Sequence, residues 1–408
     1  MAKKDDDIVI VAAARSPFDV FGGVLREVSS PVLGQWAIQE MLKRTGLKPE
    51  QIDEVNLGMC VQMEAGTHTN VIARQALLLA GLPPTTLSIT IDRACCAGST
   101  CMQQSWKNLK MGEVEISLVV GLESPSNSPL YIPAKYRFEG FRMGDVKIID
   151  WLYGAGYKMQ NPVSVDAGEV AVENGITREM QDEWALRSHK LYFEAYDRGD
   201  FKDEIFPVTV PAQGKKPPVV FDMDAGPRRD TTLEKLAKLS TVYGSPTVTA
   251  GNAPGVNTGT IGMVIMKRVT AQNLGLPILA ELIRVVSTAN PPREIAVAPF
   301  SAIRKAMQVT GLNLDDFKVI EINEAFAVMP LLSTKLLADG DPVKTEELRK
   351  RTNVLGGAVA VGHPVGASGP RIGMQCFDEL RRRGGGYGVA AICGGLAQGD
   401  AMVFRVDE

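Results

Sequence analysis

Four short stretches hold side chains that could act on a carbonyl carbon. In DRACCAGST, residues 92–100, Cys95 and Cys96 stand side by side where a strand pattern gives way to a helix pattern. Unpaired backbone N–H groups at a helix start favour a thiolate, which lowers a cysteine pKa from ~8.5 and makes a nucleophile. Two small buried core thiols fit the same residues. In NVLGGAVAVGHPVGASGPR, 353–371, His363 lies between Gly362 and Pro364 among five glycines. So bare a loop lets a substrate approach and presents one imidazole at a fixed angle. An incidental His in a Gly-rich turn is the plainer account. In AICGGLAQG, 391–399, Cys393 closes an apolar run ahead of Gly394 and Gly395. Taken alone, it fits a buried structural thiol. In EINEAFA, 321–327, a strand ends in Asn323 and Glu324, at the strand end where α/β folds bind ligands. A helix cap fits that tetrapeptide too.

The elements around these stretches follow a rhythm. DIVIVAAA reads as a buried strand, VLGQWAIQEMLKRTGL as a helix ending at Gly46, and EVNLGMC as a strand. NVIARQALLLAGLPP is a helix, TTLSITIDR a strand, GSTCMQQSWKNLKMGE a helix and EISLVVGLES a strand. This order predicts an α/β fold with helices covering a largely parallel sheet. Residues 123–246 break the rhythm with aromatics, Pro and Gly, then a long helical stretch. It resumes with GMVIMKRV, ILAELIRVVST, the helix SAIRKAMQVTGL, the strand FKVIEIN, a further helix, and the strands GYGVAAICGG and DAMVFRV. CAGSTCMQQSWKNL (96–109) is echoed by ASGPRIGMQCFDEL (367–380), with Gly98 over Gly369, Gln104 over Gln375 and Trp106 over Phe377. The echo suggests two similar halves with an insertion in the first.

Composition narrows the function classes. A chain of 408 residues is too long for one simple core. Its net charge of −3 and lack of a basic run argue against nucleic-acid binding. No apolar run approaches the ~18 residues of a membrane helix. The start reads as a strand rather than a signal peptide, and the last residues match no peroxisomal or ER address. Cys60, Cys95, Cys96, Cys101, Cys376 and Cys393 form no C-x-x-C pair. Reduced thiols in a cytoplasmic protein are expected. With only His68, His189 and His363 available, no metal site is expected.

Taken together, the four stretches resemble the catalytic motifs of the thiolases. The matching parts are Cys95 in DRACCAG, NEAF at 323–326, GGAVAVGHPVGASG at 356–369 and CGG at 393–395, in the family's order. FRMGDVKIID (141–150), GITREMQDEWALRSH (175–189), RRDTTLEKLAKL (228–239) and TVTAGNAPGVNTG (247–259) are also similar to thiolase segments. The resemblance thus covers nearly the whole chain.

It implies an α/β fold of two similar βαβαβαββ halves with an inserted loop domain. The expected division is 1–122 plus 247–272, then 123–246 as a lid and CoA-binding domain, then 273–408. Cys95 would be the nucleophile, His363 its base, and Cys393 the acid that protonates the leaving enolate. Asn323 would hold a water in one oxyanion hole, and the backbone N–H groups of Cys95 and Gly395 would form the other. Arg228, Ala250, Gly251 and Pro254 would line the coenzyme A site, with CoA a cosubstrate and no permanent cofactor. Pro254 stands where the family usually has serine. Pro162, Val163 and Ser164 replace a common HMG, and Leu355 replaces an Asn. Residues 131–157 carry Tyr131, Tyr136, Phe138, Phe141, Trp151, Tyr153 and Tyr157, against 6% aromatic overall. These departures suggest a bulky or aromatic acyl group, such as benzoylsuccinyl-CoA; core packing of the lid is the alternative. By resemblance a homodimer or homotetramer is expected, with a small zinc-containing accessory subunit as a candidate partner. Three rivals stand beside this reading. They are an ordinary acetoacetyl-CoA thiolase, a ketoacyl-carrier-protein synthase lacking the second cysteine, and a non-catalytic acyl-CoA or lipid binder.

Overall fold

The computed structural model describes residues 4–64, 70–154, 161–212 and 217–407. His68 and Tyr157 lie outside these residues. Strands β1 (Ile8–Arg15), β2 (Glu54–Gly58), β3 (Leu87–Ile91), β4 (Ile116–Glu123) and β5 (Asn257–Lys267) build one half of a sheet. Strands β6 (Ala280–Ala289), β7 (Phe317–Ile322), β8 (Gly386–Gly394) and β9 (Gln398–Val406) build the other. The order is β7-β8-β9-β6-β1-β5-β4-β2-β3, with the short pair Asp19–Val20 added on β5.

The halves repeat one another. β2 runs parallel to β4, β4 antiparallel to β5, and β5 antiparallel to β1. In the same way β7 runs parallel to β8, β8 antiparallel to β9, and β9 antiparallel to β6. The halves meet along β1 and β6, only at Val9↔Glu281 and Ile10↔Ala280. The expectation of a largely parallel sheet is corrected here: the sheet is mixed. β8 reaches β9 through the three-residue turn Gly395–Ala397, and so tight a turn can only join antiparallel neighbours.

Helices α1 (Ser30–Thr45), α2 (Ile72–Leu79), α3 (Ala97–Met111), α4 (Arg178–Arg198), α5 (Leu233–Ala237), α6 (Ala298–Thr310), α7 (Val328–Leu337) and α8 (Val365–Arg382) fill the layers. Three apolar clusters show how. Leu33, Ala37 and Ile38 of α1 and Ile72 and Ala76 of α2 pack on Val55, Leu118 and Val264 outside the first half. Ala302 and Ile303 of α6 and Leu331 and Leu332 of α7 pack on Ile320, Val389 and Val403 outside the second. Between the halves lie Met102 of α3, Ile372 and Phe377 of α8, and strand residues Ile10, Leu282 and Phe404. The echoing segments are therefore the two central helices. Their strands read as apolar runs because both faces are covered; all eight residues of β1 are buried.

Residues between β4 and β5 leave the main sheet. They contribute α4, α5 and two small ribbons, Leu130–Tyr131 with Ile149–Asp150 and Val208–Val210 with Val219–Phe221. Arg15, fully buried at the end of β1, fastens this insertion by ion pairs to Glu204 at 2.5 Å and Asp224 at 2.6 Å. The aromatic stretch is not core. Phe138 is 87% exposed, Phe141 66% and Tyr153 76%. A further helix, Val163–Glu173, opens on the residues that stand in place of HMG, so Val163 and Ser164 lie in its first turn.

Pro370 inside α8 has no N–H to give the carbonyl of Gly366 four residues back. That oxygen points at Gly98 of α3, where a Cβ would collide with it and with the Pro370 ring. Gly98→Ala should therefore lower stability by about 1–3 kcal/mol through overpacking. Denaturant unfolding checks this, and an unchanged midpoint would mean the helices are not in such close contact.

Candidate active site

The turn that carries Cys95 is tied down from both sides. After β3, Ala94 adopts a left-handed φ of 48° and its N–H donates to the Asp92 carboxylate at 2.8 Å. A non-glycine residue there costs roughly 1–2 kcal/mol, which the surrounding bonds must offset. Arg93 does much of this, donating to Asp400 at 3.1 Å and to Thr100 Oγ1 at 2.6 Å. Cys96 follows as the residue before α3. It is fully buried in the central cluster, and its sulfur lies where a side chain on Gly394 would fall. Cys96 is thus a packing residue.

His363 lies across from Cys95, with Nε2 3.2 Å from its Sγ. The other ring nitrogen, Nδ1, is 2.6 Å from Ser368 Oγ. Ser368 donates its own proton to the Pro364 carbonyl at 2.9 Å, so it can only accept from Nδ1. That assigns the proton to Nδ1 and leaves the Nε2 lone pair facing the thiol. The His363 backbone N–H donates to Asn257 Oδ1 at 2.9 Å, and residue 256 pairs with 363 as an isolated bridge.

Burial governs the charge state. It lowers the His363 pKa from 6.5 to about 3, with the Arg371 charge as a second cause. It raises Cys95 well above 9.0, helped by the charges of Cys393 and Glu123. The expected resting thiolate is corrected on this ground. Cys95 precedes α3 by two residues, its surroundings are desolvating, and the imidazole facing it is neutral. Burial therefore favours the protonated thiol.

Cys393 ends β8 beside this turn and is 1% exposed. Burial pushes its pKa up to about 12, so it too is a neutral thiol and a proton donor. Its charge, if formed, opposes ionisation of Cys95, which makes the two sulfurs electrostatic neighbours. Gly395 opens the turn that follows, in which Leu396 and Ala397 have φ of 57° and 60°.

Asn323 lies just past β7, fully buried. Its N–H donates to Ala391 O at 2.9 Å, which sets it against β8. Its Oδ1 accepts from Arg371 at 3.4 Å, and its Nδ2 has no hydrogen-bond partner among the described residues. Glu324 is a brace rather than a reactant. It accepts from Trp184 Nε1 at 2.8 Å, Ser188 Oγ at 2.9 Å, Asn353 Nδ2 at 2.9 Å and the Val359 N–H at 3.0 Å. A Cβ on Gly357 would strike its carboxylate.

The residues expected at coenzyme A lie on two segments, Arg228 in the insertion and Ala250, Gly251 and Pro254 on the loop ahead of β5. Arg228 is exposed and lines a cleft of about 360 Å3 with His189, Lys190 and Arg229. Its N–H donates to His189 Nδ1 at 3.2 Å, and burial lowers the His189 pKa to about 4. Gly251 packs against Leu236 and Leu239, at and beyond α5. Ala250 is exposed and Pro254 half-buried on the same loop, which runs to the Val256–His363 bridge. Leu355 is core, 2% exposed.

Sequence reasoning missed four residues that hold the site: Ser368, Asn257, Arg371 and Glu123. Glu123 ends β4 and accepts from the N–H groups of Cys60, Val61 and Gly366 at 3.0, 2.8 and 3.1 Å. Ser368 was legible, five residues past His363 in the same loop; the others come from distant segments.

A thiol, a neutral imidazole and a second thiol at the end of a mixed α/β sheet make a site for acyl transfer through sulfur. The known proteins this chain resembles share that class. It matches the thiolase N-terminal domain over residues 8–269 and the thiolase C-terminal domain over 276–406. It is 36% identical to an acetyl-CoA acetyltransferase of Syntrophomonas wolfei, over 98% of this chain and 99% of that one. It is 37% identical to another of Chromobacterium violaceum, over 98% and 99%. Among solved structures, the Bacillus anthracis acetyl-CoA acetyltransferase superposes with a TM-score of 0.90 at 35% identity, covering 98% of both chains. Human mitochondrial 3-ketoacyl-CoA thiolase in complex with CoA gives 0.90 at 33%, again covering 98% of both. The chain belongs to the thiolase family and is an acyltransferase.

Ser368→Ala removes the acceptor that fixes the His363 tautomer. Activity should fall by about 10- to 100-fold, the equivalent of a hydrogen bond worth ~1.5–3 kcal/mol. Steady-state kinetics check this. Because His363 is already neutral down to about pH 3, alkylation of Cys95 by iodoacetamide should show no step near pH 6.5. A step there would mean the imidazole titrates normally.

Proposed function

We propose that this protein cleaves a 3-oxoacyl-CoA with coenzyme A, or runs the reverse Claisen condensation, using Cys95, His363, Cys393 and Asn323. The observation that carries the chemistry is the 3.2 Å contact between His363 Nε2 and Cys95 Sγ with Nδ1 held by Ser368. His363 takes the thiol proton as Cys95 attacks the 3-keto carbon. The imidazolium Nε2–H and a water on the free Nδ2 of Asn323 then donate to the developing oxyanion. The C2–C3 bond breaks, and Cys393 gives its proton to the enolate of the shorter acyl-CoA. The Cys393 thiolate next takes the proton of free coenzyme A, whose sulfur attacks the acyl-Cys95 thioester. The backbone N–H groups of Cys95 and Gly395 serve that second oxyanion. Cys95 leaves and recovers its proton from His363. Direction follows from concentrations.

Coenzyme A would lie on the inserted domain, 123–246, along the Arg228 cleft and the loop of Ala250, Gly251 and Pro254. For the acyl group, the supporting feature is a cleft of about 660 Å3 walled by Met63, Tyr131, Tyr136, Phe141 and Trp151. Tyr136 and Phe141 stack with centroids 5.1 Å apart. Such walls suit a bulky aromatic acyl group such as that of benzoylsuccinyl-CoA. An acetoacetyl-CoA substrate is the second reading, favoured by the names of the curated relatives. The protein would work in the cytoplasm as a homo-oligomer, and the uncovered edge strand β3, with Leu87 and Ile89 exposed, suits pairing with a second copy. The exposed apolar lid leaves room for an accessory subunit.

A substrate panel with coenzyme A decides between the two. Faster turnover of an aryl oxoacyl-CoA than of acetoacetyl-CoA is expected, and the reverse preference removes the aromatic reading. Mass spectrometry should show an acyl adduct on Cys95 that accumulates in Cys393→Ala. No adduct would favour a non-catalytic binder.

A further inference from the structure

Arg371 is among the largest fully buried side chains of the protein, yet it touches neither sulfur and was no part of the site as read from sequence. It sits on α8 three residues past Ser368, so one helix carries both side chains toward the site. Its Nη2 faces Asn323 Oδ1 at 3.4 Å. A guanidinium has donors only, so the amide atom facing it must be the oxygen. Turned by half a rotation, Asn323 would point its NH2 at another donor, and its oxygen would occupy the place where Nδ2 now stands free.

The guanidinium is itself held. Nη1 donates to Gln375 Oε1 at 2.6 Å, one turn further along α8. Gln375 Nε2 donates to Glu204 Oε1 at 3.3 Å. Glu204 accepts from Arg15 Nε at 2.5 Å, and Arg15 donates to both oxygens of Asp224 at 2.6 and 2.8 Å. Tyr192 OH closes the chain on Asp224 at 3.1 Å. Every side chain in this path is buried. Glu204, Asp224 and Tyr192 come from the insertion, so the path joins the inserted region to the amide at the reacting carbonyl.

We propose that Arg371 is a positioning residue that fixes the amide orientation of Asn323, presenting Nδ2 as a donor to the oxyanion water, and that the Gln375–Glu204–Arg15–Asp224 chain holds it there. This rests on the reading that gives Asn323 its oxyanion role. A side chain that sets only which way a donor points should act on the chemical step and through Asn323 alone.

A double-mutant cycle tests it. Arg371→Gln offers an oxygen as well as an NH2, so both amide orientations become possible. Its kcat should fall on the order of 10- to 100-fold, less than the ~100- to 1000-fold typical of losing an oxyanion donor outright, with KM nearly unchanged. Arg371→Lys, donor-only but shorter, should recover part of the loss. In an Asn323→Ala background, Arg371→Gln should cost nothing more. The same factor in both backgrounds, or an unchanged kcat in Arg371→Gln, overturns the proposal. Normal activity of Asn323→Ala alone would instead remove the role given to Asn323. Should Arg371→Gln not fold, Gln375→Met removes the Nη1 contact and the bond to Glu204 while leaving the Arg371–Asn323 contact in place. A smaller kcat loss that vanishes with Asn323→Ala then supports the proposal, and an additive loss overturns it.

Discussion

The contact between α3 and α8 is the constraint on which the site depends. Each helix begins just after a side chain of the candidate site, Cys95 before α3 and His363 before α8. The helices pack so that Gly98 lies on Gly366 O and Pro370, and Gly369 lies on Ser99. Side chains at these points would push the helix starts apart. A displacement of an ångström would open the 3.2 Å contact between the imidazole and the thiol, and proton transfer between two groups falls steeply with such a gap. The two-fold repetition of the halves brings the helix starts together; the glycines set how near.

Buried carboxylates hold the loops around that contact. Glu324 takes four donors from two segments, which keeps Asn323 and the Gly357 loop in register. Glu123 gathers three N–H groups and binds the start of α8 to β4. Asp400 anchors Arg93 and accepts from Ser99 Oγ at 2.6 Å, joining β9 to the Cys95 turn. Leaving such a group buried without donors costs several kcal/mol, so each hub strongly favours one loop arrangement.

The same burial sets the ionisation of the site. His363 is lowered to about 3 from 6.5, so between these values the folded state binds fewer protons than the unfolded chain. Its contribution to stability is complete above 6.5 and is lost as pH falls toward 3. Burial pushes the Glu123 carboxyl the other way, from 4.5 to about 7. Its contribution is greatest below 4.5 and is lost as pH rises through 7. Near neutrality burial leaves the two thiols and the imidazole uncharged together.

Sequence alone was enough to mark the candidate side chains and the rhythm around them. Paired cysteines after a strand, a lone His among glycines and a Cys-Gly-Gly after an apolar run are local patterns. So are strand and helix periodicities, and the echo between 96–109 and 367–380 announced two similar halves. These survive because they depend on neighbours a few residues away. Tertiary structure decided what depends on distant segments. It made the sheet mixed, since strand direction follows from which turn connects which neighbours. It left Phe138, Phe141 and Tyr153 of the aromatic stretch exposed, since composition does not say which face meets the core. It kept Cys95 a thiol, since desolvation by the surrounding fold outweighs the helix-start field. And it brought Ser368, Arg371, Asn257 and Glu123 to the site, because a hydrogen bond across 243 residues, such as Gly366 to Glu123, exists only once the chain has folded.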